Sequence, residues 1–381
     1  MELSVSEVGA TGVGKELETA VLQEAIDECA AAGGGRVVFD PGTYLSGTLW
    51  LRDNVEIYLC PGATLQGSSD PEDYDDFTAP GFRQENAPEG TSKCLIAASE
   101  VDNIGIAGPG EINGAGPTFY DTDIPVDQAH YSKPDIPRPR SVLFYRCQNV
   151  RIADTAFVDS PCWTLWLVDC EDVRIRGIRV TGDQKMINND GIDIDSCRNV
   201  TVSDSTFRTG DDCIVVRAIQ QVLDDEAICE HVTVTNCVLD STCQGIRLGC
   251  PSDNVIRHCV FSNLVIKGSG NGINIDNPRR YLHEDGARMD LHDVLFSNIS
   301  IQCGRHPIRI FVEDGVNLHR LSDVSFSDIR ARGRLPVTLQ GCPETIISDV
   351  CFSNATLETE ANEPLICRHC RRIRMEGVEL R

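Results

Sequence analysis

The chain has 381 residues and a formal net charge of −24 at pH 7. Such an acidic protein would be repelled by phosphate, which argues against nucleic acid as a partner. No apolar run is long enough to span a bilayer, so no membrane partner is predicted. Residues 1–4 show neither a basic start nor an apolar segment. This predicts a cytoplasmic location, whereas a signal peptide removed ahead of them would make the protein secreted.

The sequence contains 18 cysteines, a high number for its length. Cys147, Cys170 and Cys197 recur at equivalent points of a repeating strand pattern, as small buried residues would. The chain is neither small nor visibly exported, so most of these cysteines are predicted to be free thiols.

In chain order, the first predicted element is a helix from Glu16 to Ala32, which is followed by three glycines. It lies within an N-terminal cap of about residues 1–50, where it would cover one end of the repeat that follows. Residues 68–93 and 114–140 are rich in Pro, Asp and Gly and are predicted to be long loops that wall a binding groove.

Short strand patterns repeat through the rest of the chain. Each repeat has a five-residue segment whose third and fifth positions are apolar, and successive segments start 22 to 35 residues apart. Period-two alternation predicts strands, and a repeat of this length without long helices predicts a solenoid. We therefore predict an all-β, right-handed parallel β-helix that forms one domain over residues 1–381. The segments begin at Pro161, Asp190, Asp212, Gln244, Asn271, His306 and Leu335.

Three carboxylates lie within 23 residues of this repeat, at Asp190, Asp211 and Asp212. Asp190 and Asp212 open successive segments, and neighbouring strands are about 4.8 Å apart, so their side chains should stack on one outer face. Three carboxylates this close cannot all ionise at their usual pKa, which leaves one to hold a proton as a general acid needs. The alternative interpretation is a solvated aspartate ladder or a cation site.

Further polar residues are predicted to follow the same outer face. The column of Asp190 continues through Gln244, Asn271 and His306, and a second column contains Arg247, Asn274 and Arg309. Trp166 is predicted to face outward, where its ring could stack on a bound ligand, while Trp163 is placed in the core. The predicted substrate-binding residues are Gln244, Arg247, Asn271, Asn274, Asp276, Arg309, His306, Arg217 and Trp166.

The motifs Asn188-Asn189-Asp190 and Gly210-Asp211-Asp212 resemble the Asn-Thr-Asp and Gly/Gln-Asp-Asp motifs of the polygalacturonase family. This is glycoside hydrolase family 28 of the pectin-lyase-like superfamily, and the resemblance extends over nearly the whole chain. Asn189 replaces the family's Thr. Additional matching stretches are residues 25–27, 33–35, 42–47 and 138–140.

The resemblance implies hydrolysis of an oligo- or polysaccharide with inversion, without a cofactor or a metal. It implies that Asp211 protonates the leaving oxygen and that Asp190 and Asp212 activate water. The acid and base of an inverting glycosidase are typically about 6.5–9.5 Å apart, which leaves room for that water.

Two family motifs are changed. The family's Gly-His-Gly corresponds to Cys243-Gln244-Gly245, and its Arg-Ile-Lys, which grips the uronate carboxylate, corresponds to Asn274-Ile275-Asp276. Loss of both cations predicts a pectin-related or other plant-type substrate other than plain polygalacturonate. Arg247 or Arg309 could instead bind a uronate from a shifted position.

Two other functions stay open at this point. Loss of the family's histidine and cations would suit a catalytically degenerate, carbohydrate-binding β-helix. A polysaccharide lyase could use the same fold, although it would need a strong base such as Lys or Arg.

Overall fold

The computed structural model describes residues 1–281 and 288–381. Within these ranges the chain has one α-helix and 33 β-strands, of which 22 form one extended sheet and 11 a second sheet. All strand ladders of these two sheets are parallel; one isolated antiparallel bridge joins two loops. The predicted right-handed parallel β-helix is confirmed.

The strands and the helix follow one another in short coils through the described residues. The first elements are β1 (Glu2–Ser4), β2 (Val13–Leu17), α1 (Thr19–Ala31), β3 (Gly35–Phe39), β4 (Gly42–Ser46), β5 (Leu49–Trp50), β6 (Val55–Leu59), β7 (Ala63–Gly67), β8 (Cys94–Ser99), β9 (Gly105–Ala107), β10 (Glu111–Asn113) and β11 (Arg140–Tyr145). Next are β12 (Gln148–Ala153), β13 (Ala156–Val158), β14 (Leu165–Val168), β15 (Glu171–Arg176), β16 (Arg179–Thr181), β17 (Ile192–Asp195), β18 (Arg198–Ser203), β19 (Thr206–Thr209), β20 (Ile214–Arg217), β21 (Ile228–Thr235) and β22 (Val238–Ser241). The last are β23 (Gln244–Gly249), β24 (Val255–Gly268), β25 (Asn271–Asp276), β26 (Asp290–Cys303), β27 (Ile308–Phe311), β28 (Arg320–Gly333), β29 (Val337–Gln340), β30 (Ile347–Thr359), β31 (Leu365–Arg368), β32 (Cys370–Arg371) and β33 (Arg374–Leu380). Short 3-10 helices cover Pro71–Asp73, Gln84–Asn86, Pro88–Gly90, Gly116–Phe119, Gln220–Val222 and Arg279–Tyr281.

The core is built from stacked copies of the same position. Phe261, Phe296, Phe326 and Phe352 lie on successive coils, with ring centroids 4.8 to 5.0 Å apart and rings nearly parallel. All four side chains are fully buried. Stacking of equivalent apolar residues is the physical consequence of the strand spacing, because each coil must bury its inward face against the next.

One turn of every coil bends through the left-handed region of backbone conformation. Equivalent residues at this turn have φ between 53° and 63°, which Asn and Asp tolerate better than most residues. Their side-chain amides bond along the column; Asn103 Nδ2, for example, donates to Asn54 Oδ1 at 2.8 Å. We call this column the turn ladder: Asn54, Asn103, Asn149, Asp172, Asn199, His231, His258, Asp293, Asp323, Asp349 and Arg372.

The predicted N-terminal helix is present, but it begins three residues later than expected. Glu16 and Leu17 belong instead to β2, and α1 covers Thr19–Ala31. Its buried face, which includes Leu22 and Ile26, packs against β1, β3 and β5. No helix within the described ranges is long and apolar enough to cross a membrane.

The cysteines behave as the repeat predicts. All 18 lie among the described residues and are free thiols. Cys147, Cys170 and Cys197 are buried on successive coils, where each thiol donates to a backbone carbonyl. The prediction of small stacked core residues is confirmed, while the cytoplasmic location and the single-domain assignment stay predictions.

The two long loops take different places. In the loop of residues 68–93, Phe82 forms an antiparallel bridge with Leu223, and Asn86 Nδ2 donates to the carbonyl of Gln221 at 2.8 Å. These contacts hold the first loop against a later coil. The loop of residues 114–140 contributes to a small separate apolar cluster made of Phe119, Tyr120, Tyr131 and Met186.

Truncation of one stacked phenylalanine should test this core. We expect Phe296→Ala to lower the free energy of unfolding by about 3–5 kcal/mol, because it opens a cavity between two coils. Leu295→Ala is the matched control, since Leu295 lies in the same strand but points outward and is 37% exposed. Urea unfolding followed by circular dichroism measures both, and equal losses would contradict the stacked core.

Candidate active site

One pocket of about 340 Å³ lies over the coils that carry the aspartates. Five of the predicted site residues line it, namely Asp190, Asp211, Asp212, Arg217 and Arg247. The other lining residues within the described ranges come from several separate segments. They are Asn86, Pro88, Glu89, Trp163, Asn188, Ile219, Gln221, Cys243, Cys250, Pro251, Asp253, Arg280 and Tyr281.

Strand register places Asp190 and Asp212 beside each other. β17 pairs with β20 from Ile192 and Ile214 onward, and the N–H of Gly191 donates to the carbonyl of Asp212 at 2.9 Å. Gly191 is required by this close approach, because a Cβ there would lie 2.3 Å from the carbonyl oxygen of Cys213. The predicted stacking of the two aspartates on successive coils is therefore confirmed.

The turn before Asp211 is fixed by an asparagine of the preceding coil. Asn189 Oδ1 accepts from the N–H groups of Gly210 and Asp211, at 2.8 and 3.0 Å. The Asp211 carboxylate in turn accepts from the N–H groups of Asn188 and Asp212, each at 3.0 Å. These reciprocal bonds explain why the two aspartate motifs occur on adjacent coils.

Asp190 and Asp212 are only 2% and 1% exposed, whereas Asp211 is half-buried. Burial raises the pKa of Asp190 well above its ordinary value, and repulsion from Asp211, Asp193 and Asp212 adds to the rise. Burial also raises the pKa of Asp212 to about 7, although Arg247 opposes the shift. Carboxyl groups in this range can hold or release a proton near neutral pH, as acid–base catalysis requires.

Two buried carboxylate oxygens of the pocket-lining aspartates lack a protein partner among the described residues. Oδ1 of Asp190 and Oδ1 of Asp212 are buried and accept no hydrogen bond from the residues that the structure describes. Buried polar atoms without a protein partner are commonly satisfied by ordered water. Each of these two oxygens can therefore accept a hydrogen bond from water.

Arg217 is a buried cation at the base of the pocket. Its guanidinium contacts Asp193 at 2.8 Å and Asp190 at 3.3 Å and stacks over Trp163, 4.0 Å from the ring centroid. Burial opposes the charge, but Asp193 and Asp190 outweigh it and raise the pKa of Arg217. The arginine is therefore held protonated, where it restrains one oxygen of Asp190.

A second ion-pair network joins three coils. Arg247 donates to both oxygens of Asp276, at 2.9 and 3.2 Å, and to Asp212 at 3.3 Å. Arg309 contacts Asp276 at 3.4 Å and Asn274 at 3.1 Å. Asp276 therefore engages both arginines that could have bound a uronate.

The sequence matches the profile of a known protein family. The profile of Glycosyl hydrolases family 28 matches residues 76–332, about two thirds of the chain. The chain belongs to this family, whose members are O-glycosyl hydrolases.

Relatives of known sequence are polygalacturonases. An endo-polygalacturonase of Pectobacterium carotovorum subsp. carotovorum is 23% identical over 356 residues, which cover 90% of this chain and 85% of that protein. A probable polygalacturonase of Vitis vinifera is 26% identical over 221 residues, 56% of this chain and 44% of that protein. The chain thus spans about half the length of the plant relatives that it matches.

Solved structures show the same fold. An exopolygalacturonase from Thermotoga maritima superposes with a TM-score of 0.81 at 22% identity, over 100% of this chain and 91% of that chain. A polygalacturonase from Erwinia carotovora ssp. carotovora gives a TM-score of 0.72 at 19% identity, over 97% and 92% of the two chains.

Within this family 28 fold, the predicted position of Trp166 is wrong. Trp166 is fully buried, its Nε1 donates to Asp195 at 3.1 Å, and its ring packs against Phe82. The loop of residues 68–93 covers the strand at this level, which turns an outward position into an interior one. Trp163 has the predicted burial, at only 2% exposed, yet one face of its ring lines the pocket.

The predicted site residues on the coils after Arg247, together with Gln244, have the predicted strand register but lie outside the pocket. Gln244 pairs with Asn271, whose Nδ2 donates to Gln244 Oε1 at 2.7 Å, and His306 follows on the next coil. His306 Nδ1 bonds the carbonyl of Pro336, and burial lowers its pKa. These residues, with Asn274, Asp276 and Arg309, line no part of the described pocket, and a role for them in substrate binding stays a prediction.

Other pocket residues come from loops that the repeat does not cover. Glu89, Gln221 and Tyr281 are examples, and no periodicity could have placed them. Arg138 belongs to a stretch that matches the family, without a role predicted for it. It is buried and donates to Asn188 Oδ1 at 3.0 Å, beside the turn that leads to Asp190.

The buried Asp212 should make stability depend on pH. Its pKa is about 7 in the folded chain and about 3.9 when unfolded, so the folded state binds the proton more tightly. Stability should then fall as pH rises from about 4 to 7. We expect Asp212→Asn to remove this penalty and to stabilise the protein by on the order of 2 kcal/mol at pH 8 but little near pH 4.

Urea unfolding at both pH values measures the effect. Asp127→Asn is the control, because Asp127 is exposed on a loop and its replacement should change stability equally little at either pH. An Asp212→Asn variant that is less stable than the parent at pH 8 would contradict the prediction.

Proposed function

We propose that this chain is an inverting glycoside hydrolase that acts on a pectin-related or other plant-type oligosaccharide, distinct from plain polygalacturonate. The observation that carries the proposal is the convergence of Asp190, Asp211 and Asp212 on one pocket. Asp190 and Asp212 have raised pKa values, so both carboxyl groups can exchange a proton near neutral pH.

The proposed roles of the three aspartates follow from their exposure and from the carboxylate oxygens that lack a protein partner within the described ranges. Asp211 is the most accessible of the three aspartates, which suits the acid that protonates the leaving glycosidic oxygen. Asp190 and Asp212 each offer a buried, unpartnered oxygen to a water molecule. The water transfers a proton to one of these two carboxylates, and the water oxygen bonds to the anomeric carbon. At the same time the bond between the anomeric carbon and the leaving oxygen breaks, and the leaving oxygen takes the proton of Asp211.

The stereochemical course needs its own test. One oxygen of Asp211 and one of Asp212 lie within 4.8 Å of each other, closer than the 6.5–9.5 Å expected for an inverting pair. The proposal of inversion therefore rests on family membership, and proton NMR of the first-formed anomer decides it.

The charges around the pocket support a substrate that is not a plain uronate. Asp276 forms ion pairs with Arg247 and Arg309, and Asp190 and Asp193 form ion pairs with Arg217. A uronate carboxylate would have to displace these buried ion pairs and would also meet the repulsion of the remaining aspartates. A neutral or rhamnose-containing sugar avoids both costs.

The same ion pairs disfavour a lyase. Burial opposes the charge of Arg247, but Asp212 and Asp276 raise its pKa overall, and Arg217 is likewise held protonated. A lyase base must be unprotonated in order to accept a proton from the substrate, which these protonated arginines cannot do. The carbohydrate-binding alternative differs from the hydrolase in one respect only, which is the absence of turnover.

Release of reducing ends from a panel of pectic and neutral plant oligosaccharides tests the function. We expect release from a neutral or rhamnose-containing glycan, and we expect Asp190→Asn, Asp211→Asn and Asp212→Asn each to lower turnover at least about a hundredfold with the fold retained. Asp127→Asn should leave turnover unchanged. Binding without turnover that is insensitive to Asp211→Asn would select the binding protein, and an unsaturated product would select the lyase.

Substitution of Asp276 tests the proposed substrate preference. Asp276→Asn removes the charge that occupies Arg247 and Arg309, so affinity for galacturonate oligosaccharides should rise about tenfold or more. Asp276→Glu keeps the charge and is the matched control. Isothermal titration with trigalacturonate measures both, and an unchanged affinity in Asp276→Asn would show that these ion pairs do not limit uronate binding.

A further inference from the structure

Half of the histidines of this chain lie together on the outer face of neighbouring coils. The sequence has eight histidines, and none of those that the structure describes lines the catalytic pocket. Four of them form a patch with nearby carboxylates, which we call the histidine patch. It consists of His231, His258, His292 and His319 with Glu230, Asp290 and Asp293.

Two histidines of the patch occupy consecutive positions of the turn ladder, where most coils place Asn or Asp. His231 and His258 have φ of 57° and 54°, and their rings stack with centroids 5.4 Å apart. Asp293 follows them on the next coil. The ladder geometry therefore brings two imidazoles and a carboxylate into register at the surface.

The donor atoms of this group are close enough to share a metal ion. One ligand atom each from Glu230, His231 and His258 lies within 4.8 Å of the other two. Ligand atoms around tetrahedral zinc are about 3.3 Å apart, given bonds of about 2.0–2.1 Å. Both imidazoles are exposed, so small side-chain rotations can close the remaining distance.

The surrounding contacts prepare these ligands. His258 Nδ1 bonds the carboxylate of Asp293, which must accept the proton, so neutral His258 keeps its lone pair on Nε2. A carboxylate behind an imidazole fixes ring orientation and increases ligand basicity. Arg257 binds Oε2 of Glu230 at 2.7 Å, which steadies this carboxylate, and Arg198 lies 4.0 Å from Oε1.

We propose that His231, His258 and Glu230 bind one divalent transition-metal ion of the zinc class, which joins two coils on the outer face of the β-helix. Two imidazoles and a carboxylate favour Zn²⁺, Co²⁺ or Ni²⁺ over Mg²⁺ or Ca²⁺, which take oxygen ligands. The ion would stabilise the folded chain by mass action, because the ligands converge only when the coils are stacked. This site is separate from the aspartate pocket and does not depend on the proposed hydrolysis.

Isothermal titration of the metal-free, reduced protein with ZnCl₂ tests the site, with MgCl₂ as the hard-cation comparison. We expect one Zn²⁺ per chain and an increase of the melting temperature with Zn²⁺ but not with Mg²⁺. The double variant His231→Asn/His258→Asn restores the residue type that the turn ladder uses elsewhere, so it should fold normally. Its affinity for Zn²⁺ should fall at least about tenfold.

His369→Asn is the matched control, because His369 is exposed and also has a positive φ, yet lies outside the patch. It should leave Zn²⁺ binding unchanged. The free cysteines and the group formed by Asp211, Asp212 and Cys243 are competing sites, and a thiolate charge-transfer band in the Co²⁺ spectrum would reveal cysteine ligation. Zn²⁺ binding that survives in the double variant, or is missing from the parent protein, would overturn the proposal.

Discussion

Parallel pairing between successive coils is the constraint on which the rest of this structure depends. Each strand has its partner one strand spacing away, so equivalent residues of different coils are forced into columns. The same rule stacks phenylalanines in the core, asparagines at the turn ladder and aspartates at the pocket. Whether a column is apolar, amide-bonded or charged decides whether it contributes stability, shape or chemistry.

The pocket shows how such a column can become reactive. Asp190 and Asp212 are buried side by side, and burial, together with repulsion from neighbouring carboxylates, raises the pKa of both. Arg217 and Arg247 each satisfy one oxygen of these aspartates and leave the other without a protein partner. The arginines thus limit the electrostatic penalty without removing the proton-binding capacity of the site.

Arg247 also connects the aspartate pocket to Asp276 on the next coil. Asp276 engages Arg247, which also contacts Asp212. A change at this position therefore acts on the aspartate pocket and on the charge offered to a sugar at once. In the proposed hydrolase, such coupling gives a physical reason for Asp276 to influence which glycan is accepted.

The sequence by itself determined the fold, the helical cap and the register of both polar columns, because strand alternation and coil stacking are local and repetitive. The positions of Asp190, Asp211 and Asp212 at one site followed from that register. Tertiary structure alone decided what covers each column. The loop of residues 68–93 buries Trp166, and segments near Gln221 and Tyr281 close the pocket. Loop contacts of this kind join residues far apart in sequence, and no periodic pattern encodes them.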